Sequence, residues 1–217
     1  MRPLCLLLLS LLLSTAAAFS QPFSFGVKGG MPLTDFVSAV RAQNINASTT
    51  TNRYILGVTG EARLPFGLGV EVDVLYRHFR YNSSSGVSNL TSNITNIDTS
   101  SGAWEFPLLG KYRFKGKIFR PFVDAGVSWN KLSGLTQTVT STVNLITKSN
   151  STSSPAELAN GTARGFVLGA GLDVKALVIH ISPEVRFTRW GAKQFIDPTG
   201  IISSKQNQAE FLLGITF

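Results

Sequence analysis

Two groups of side chains carry functional groups placed to react or to pair with one another. His180, Ser182 and Glu184 stand at alternate positions and supply a base, a hydroxyl and an acid, the residue types of acyl hydrolysis. Alternation places the three on one face of an extended strand. Pro183 interrupts the run, and side chains two apart need not reach each other. A histidine held in a polar network accounts for the trio without catalysis, and no enzymatic activity is expected. The larger set is Lys28, Glu61, Arg63, Glu71, Asp73, Arg77, Glu105, Lys111, Arg113, Arg120, Asp124, Asp173, Glu184, Arg186 and Glu210, eight acids and seven bases. So nearly balanced a set can pair into a static plug, or it can move as a gate on a narrow ion path. The only cysteine, Cys5, lies in the first twenty residues. Disulfides, thiolate catalysis and cysteine metal sites are thereby excluded from the rest, and no cofactor or metal is expected.

What positions these residues is a succession of alternating segments, at 23–31, 53–64, 68–80, 102–114, 118–130, 163–174, 177–190 and 208–217. In each, the charged set shares one parity. Apolar residues hold the other: Phe23, Phe25 and Val27; Leu56 and Val58; Val70, Val72 and Val74; Trp104, Phe106 and Leu108; Val123, Val127 and Trp129; Phe166 and Leu168; Val185 and Phe187; Phe211, Leu213 and Ile215. Phe122 breaks the alternation. Pro65-Phe66-Gly67, Lys115-Gly116-Lys117 and Lys175-Ala176 make short turns. The other connections are long, and those at 81–101 and 131–162 are rich in Ser, Thr and Asn. In an antiparallel meander this puts every long loop at one end and every short turn at the other. Asn46, Asn82, Asn89, Asn93, Asn150 and Asn160 each begin an Asn-x-Ser/Thr triplet, read here as hydrated surface rather than as modification sites.

Residues 1–20 have the pattern of a secretory signal peptide: Arg2, an apolar run from Leu4 to Leu13, then small residues. Cleavage fits before Phe19 or before Gln21. Residues 21–217 then form one domain. The formal charge of +8 is spread along the chain without a Lys/Arg cluster, so no nucleic-acid partner is expected.

Which parity faces inward decides the class. Were the charged face outside, the interior would have to hold Trp104, Tyr112, Trp129 and Phe217 near its rims. With that face inside, opposite charges pair across a narrow lumen and the aromatics become interface anchors. Closure of the sheet lets every backbone group pair, which lipid demands. The expected fold is therefore an all-β, eight-stranded antiparallel up-and-down transmembrane β-barrel in the bacterial outer membrane.

The closing run Gln208–Phe217 resembles the last strand of outer-membrane barrels, with Glu210, Ile215 and Phe217 at the polar, hydrophobic and aromatic places and Leu212 where the glycine belongs. Together with F-G-V-K-G-G near Phe25, R-P-F-V-D-A-G-V-S-W at 120–129 and S-P-E-V-R-F-T-R-W at 182–190, it resembles the small OmpA-like eight-stranded outer-membrane barrels. More narrowly, it is similar to the outer membrane beta-barrel proteins of acidobacteria-like genomes. The resemblance implies outer-membrane lipid and the barrel assembly machinery as partners. The assembly signal would be Phe211, Ile215 and Phe217. It implies a structural or surface-interaction role, or alternatively a small gated pore, and the long loops could take a surface ligand that no motif names. His180-Ile181-Ser182 is also similar to the His-x-Ser of outer-membrane lipid A deacylases. That family follows the serine with Asn where this chain has Pro183.

Overall fold

A computed structural model describes residues 23–34, 37–39, 45–87, 93–143, 146–156, 158–176, 178–196 and 202–217. The expected leader, residues 1–20, lies outside them. The strands are β1 (Phe23–Pro32), β2 (Val37–Ala39), β3 (Ile45–Arg63), β4 (Leu68–Val87), β5 (Asn93–Arg113), β6 (Phe119–Val143), β7 (Ile146–Thr152), β8 (Thr162–Ala176), β9 (Ile179–Trp190), β10 (Ile202–Ser204) and β11 (Asn207–Thr216). Eight of them, β1, β3, β4, β5, β6, β8, β9 and β11, pair antiparallel with their chain neighbours. The ring closes where β1 meets β11, from Gly26↔Thr216 to Pro32↔Glu210. Phe25 and Phe217 exchange backbone hydrogen bonds of 3.2 and 3.1 Å at the end of that seam.

Side-chain parity puts the oily residues outside. Phe166 is 73% exposed and Leu168 61%, whereas Arg186, Glu105 and Glu210 are 0% exposed and rank among the largest fully buried side chains. A water-soluble barrel would reverse this, because exposed apolar area costs about 25 cal/mol per Å² in water. The outward row Trp104, Phe106, Leu108, Gly110, Tyr112 on β5, continued by Phe114 just past its end, begins and ends in aromatics. At 3.4 Å per residue and a tilt near 40° it covers about 25 Å of height, the apolar thickness a barrel of this kind presents. Phe119 to Trp129 on β6 repeats the arrangement.

The turn at Pro65–Gly67 forms as expected. Phe66 and Gly67 have φ of 65° and 83°, and a Cβ on Gly67 would lie 2.4 Å from the Arg113 carbonyl oxygen, so glycine is required there. The hydroxyl-rich tracts differ from expectation. Much of 81–101 and 131–162 is strand, not loop: Ile45–Thr51 pairs with Phe79–Ser85, and Ile94–Ser100 pairs with Thr136–Thr142. Beyond the bilayer the outer face meets water and the inner face packs polar side chains such as Thr99, Ser101 and Gln137, so both faces are polar and the alternation that marks a strand disappears, while Thr, Ile and Val keep their preference for extended backbone. β7 folds back on β6 as a hairpin, with Thr138–Ser151, Thr140–Ser149 and Thr142–Thr147 hydroxyl contacts of 3.0, 3.1 and 3.0 Å.

Candidate functional site: the charged lumen

Alternate residues of the described membrane-spanning strands point inward, so the lumen is built from eight facing rows. Toward the short turns, the Arg113 guanidinium binds both carboxylate oxygens of Glu61, and its Nε donates to Asp173 Oδ2 at 2.9 Å. The other Asp173 oxygen lies 2.7 Å from His180 Nδ1. Arg63 approaches Glu61 at only 4.0 Å.

At the centre, Lys28 Nζ reaches Glu71, Asp73 and Glu184 at 2.5, 3.1 and 3.2 Å. Arg186 Nε donates to Glu184 Oε1 at 2.7 Å, and its Nη2 to Asp73 Oδ2 at 2.9 Å and Glu71 Oε1 at 3.4 Å. Lys111 completes the cluster by pairing with Glu71, and its ammonium lies 4.3 Å from the Phe122 ring centroid. Phe122, the residue out of step in the sequence, is thus an inward ring over which a cation sits. Further toward the long strands, Arg77 bridges Glu105 and Glu210, the latter at 2.6 Å, and donates to Gln208 Oε1 at 3.1 Å. Ser128 Oγ donates to Glu105 Oε1 at 2.9 Å.

Two of the expected lumen residues stand apart. Arg120 donates from Nε to the Gly116 carbonyl at 3.1 Å, within the turn and outside the network. Asp124 is 3% exposed, yet both its carboxylate oxygens lack a hydrogen-bond partner among the described residues. Gly169 on the neighbouring strand leaves room for it, since a Cβ there would fall 2.2 Å from Asp124 Oδ1.

The acyl-hydrolysis arrangement does not assemble. His180 is engaged by Asp173, Glu184 by Arg186 and Lys28, and no hydrogen bond joins His180 to Ser182 among the described residues.

Sequence reasoning missed the apolar parts of the lumen. Ile55, Leu75 and Leu212 form a buried cluster inside the barrel. Leu212 is the residue that displaces the glycine of the closing-strand pattern, and that departure was the available signal. At the mouth, Phe79, Ala103 and Phe195 pack together, with Leu132, Leu135 and Leu158 against them. Phe195 comes from the segment after β9, and its ring meets Phe79 edge-on at 5.8 Å. Gln194 N and Phe195 N donate to Ser204 Oγ at 2.8 and 3.2 Å, and Gln194 Nε2 donates to Asn130 Oδ1 at 3.2 Å. Nothing in the period of either loop pointed to this stopper.

A closed eight-stranded barrel with a hydrocarbon exterior and an ion-paired interior defines an integral β-barrel of the outer membrane. The chain belongs to the family described as outer membrane protein beta-barrel domain, whose model matches residues 19–191. It is accordingly a bacterial outer-membrane protein. Among solved structures it is similar to the outer membrane protein OprG from Pseudomonas aeruginosa, at 13% identity and TM-score 0.52, covering 89% of this chain and 92% of that one. Neisserial surface protein A is also similar, at 11% identity and TM-score 0.42, covering 90% and 96%. So is the N-terminal β-barrel domain of Pseudomonas aeruginosa OprF, at 12% identity and TM-score 0.37, covering 91% and 98%. No curated protein matches the sequence.

Proposed function

We propose that the protein is a closed, non-conducting barrel with a structural and surface-interaction role rather than a catalytic one. The observation that carries this reading is the Lys28–Glu71–Asp73–Glu184–Arg186 lattice, which joins side chains of β1, β4 and β9 across the lumen at 2.5 to 3.4 Å. Opening a path through it means separating several buried ion pairs at once, each costing several kcal/mol to break. The Ile55–Leu75–Leu212 and Phe79–Phe195 layers add apolar barriers above it. The gated-pore reading leans on Asp124, the unpaired carboxylate beside this lattice.

Planar-bilayer recording of the purified protein separates the two. The plug predicts a flat baseline for the wild type, and discrete unitary steps in the wild type would establish the pore. Residues 1–20 serve in this reading as a cleaved export leader. The β6–β7 hydroxyl ladder stands clear of the membrane as the surface offered to a ligand.

The same reading makes the last strand the segment engaged by the assembly machinery. Phe211, Ile215 and Phe217 lie with Leu213 on its outward row, and the Phe217 backbone closes the seam to β1. Deleting Phe217 removes both terminal seam bonds and the last aromatic. The heat-modifiable form recovered from membranes is expected to fall about tenfold, in proportion to an assembly step weakened by ~1.4 kcal/mol. Undiminished insertion would remove the assembly role from this residue.

A further inference from the structure

The outward rows of β6, β8 and β9 end alike at the long-strand side. Above Trp129 on β6 stands Lys131, above Phe166 on β8 stands Arg164, and above Phe187 on β9 stands Arg189; all three bases are exposed. The register makes them diagonal neighbours. Trp129 faces Arg164 and Lys131 faces Thr162, while Phe166 faces Arg189. Arg164 is therefore two positions from the residue opposite each of the other two, a separation of about 7–8 Å across each strand pair. We propose that Lys131, Arg164 and Arg189 form a binding patch for the phosphate groups of an outer-leaflet glycolipid headgroup.

Charge complementarity carries the assignment. Three like charges on adjacent strands repel one another, and an anion lying among them relieves that repulsion. The described acids of the transmembrane parts of these strands, Asp124, Asp173 and Glu184, all point into the lumen and cannot serve. Arg189 Nη1 donates to Asn207 Oδ1 at 3.0 Å, which leaves its remaining N–H groups and those of Arg164 to the headgroup. Position fits as well. Trp104 and Trp129 are aromatics of the kind that mark the interface, and the bases lie just above them, where phosphate sits. The patch is also one-sided, because at about this height the β1 and β11 side presents Leu33 and Asn207.

The height of the barrel favours a deep, sugar-bearing headgroup over a thin phospholipid one. Beyond Lys131, β6 continues to Val143, a further twelve residues (143 less 131) of mostly polar strand. At the usual rise and tilt that is about 30 Å above the phosphate level.

The test is native mass spectrometry of the refolded protein in micelles, titrated with bisphosphorylated lipid A, with the same lipid after dephosphorylation, and with phosphatidylglycerol. The wild type is expected to retain the bisphosphorylated lipid most tightly. K131Q/R164Q/R189Q should bind it about a hundredfold more weakly, while R164Q alone should lose about fivefold and so keeps the test available if the triple variant does not fold. A control neutralising Lys115, Lys117 and Lys175 at the opposite rim should leave retention unchanged. Equal retention of the dephosphorylated lipid or of phosphatidylglycerol, unaltered retention by R164Q, or an equal loss in the control would overturn the proposal.

Discussion

Replacing Arg186 by methionine is expected to lower the unfolding free energy of the barrel by about 3–5 kcal/mol. Its guanidinium is fully buried and holds Glu184, Asp73 and Glu71 at 2.7, 2.9 and 3.4 Å. Methionine fills most of the volume, so the loss is electrostatic rather than a cavity. Among the described residues, Glu184 and Asp73 would be left with Lys28 as their one remaining cation in contact. An uncompensated charge in a narrow lumen has little water to solvate it, which is why breaking one partner costs more than deleting both. The double variant R186M/E184M should therefore recover a measurable part of the loss, a coupling that independent sites would not show. Urea titration in lipid vesicles, followed by the gel-mobility difference between folded and unfolded forms, measures both. A loss below about 1 kcal/mol would mean that the lattice does not hold the barrel together.

The second large effect lies on the opposite face. Leu108 is 42% exposed and sits midway between Trp104 and Tyr112 on the outward row of β5. Leu108→Arg puts a guanidinium at the middle of the hydrocarbon and should destabilise the folded barrel by about 2–4 kcal/mol. Leu64→Arg, at the Pro65–Gly67 turn, should cost about 0–1 kcal/mol, because the charge there reaches the interface. The same vesicle titration gives the difference between the two. Equal penalties at both depths would remove the bilayer from the explanation.

Much of this architecture was legible in the residues, and the reason is the two-residue period. Wherever one face meets hydrocarbon and the other a packed lumen, each strand must alternate, so Val72 and Glu71 or Leu108 and Lys111 announce their sides without help from structure. The same logic failed outside the membrane. The 81–101 and 131–162 tracts lose the contrast between faces and read as loops, although β4, β5 and β6 run far into them. Partners within the lumen were beyond reach for another reason. Parity says that Arg186 points inward, but choosing Glu184, Asp73 and Glu71 over Glu105 requires knowing strand stagger. Parity likewise gave Asp124 and Arg120 the same standing as their neighbours, whereas one is buried without a partner and the other bonds its own turn. Phe195 was hidden most completely, since a single aromatic in a polar segment has no period to betray it.

Apolar side chains face lipid while ionised ones face each other, and a spin-label accessibility scan in vesicles tests that arrangement residue by residue. The only natural cysteine is Cys5, so labels can be placed singly downstream. Labels at Val72, Leu108 and Leu168 should relax strongly with oxygen, which partitions into hydrocarbon, and weakly with a water-soluble nickel chelate. Labels at the lumen positions Thr59 and Thr188 should respond to neither, because those sites are packed. Strong oxygen response at Thr59 and Thr188, with the nickel chelate reaching Val72, Leu108 and Leu168, would contradict the inside-out arrangement and the membrane assignment with it.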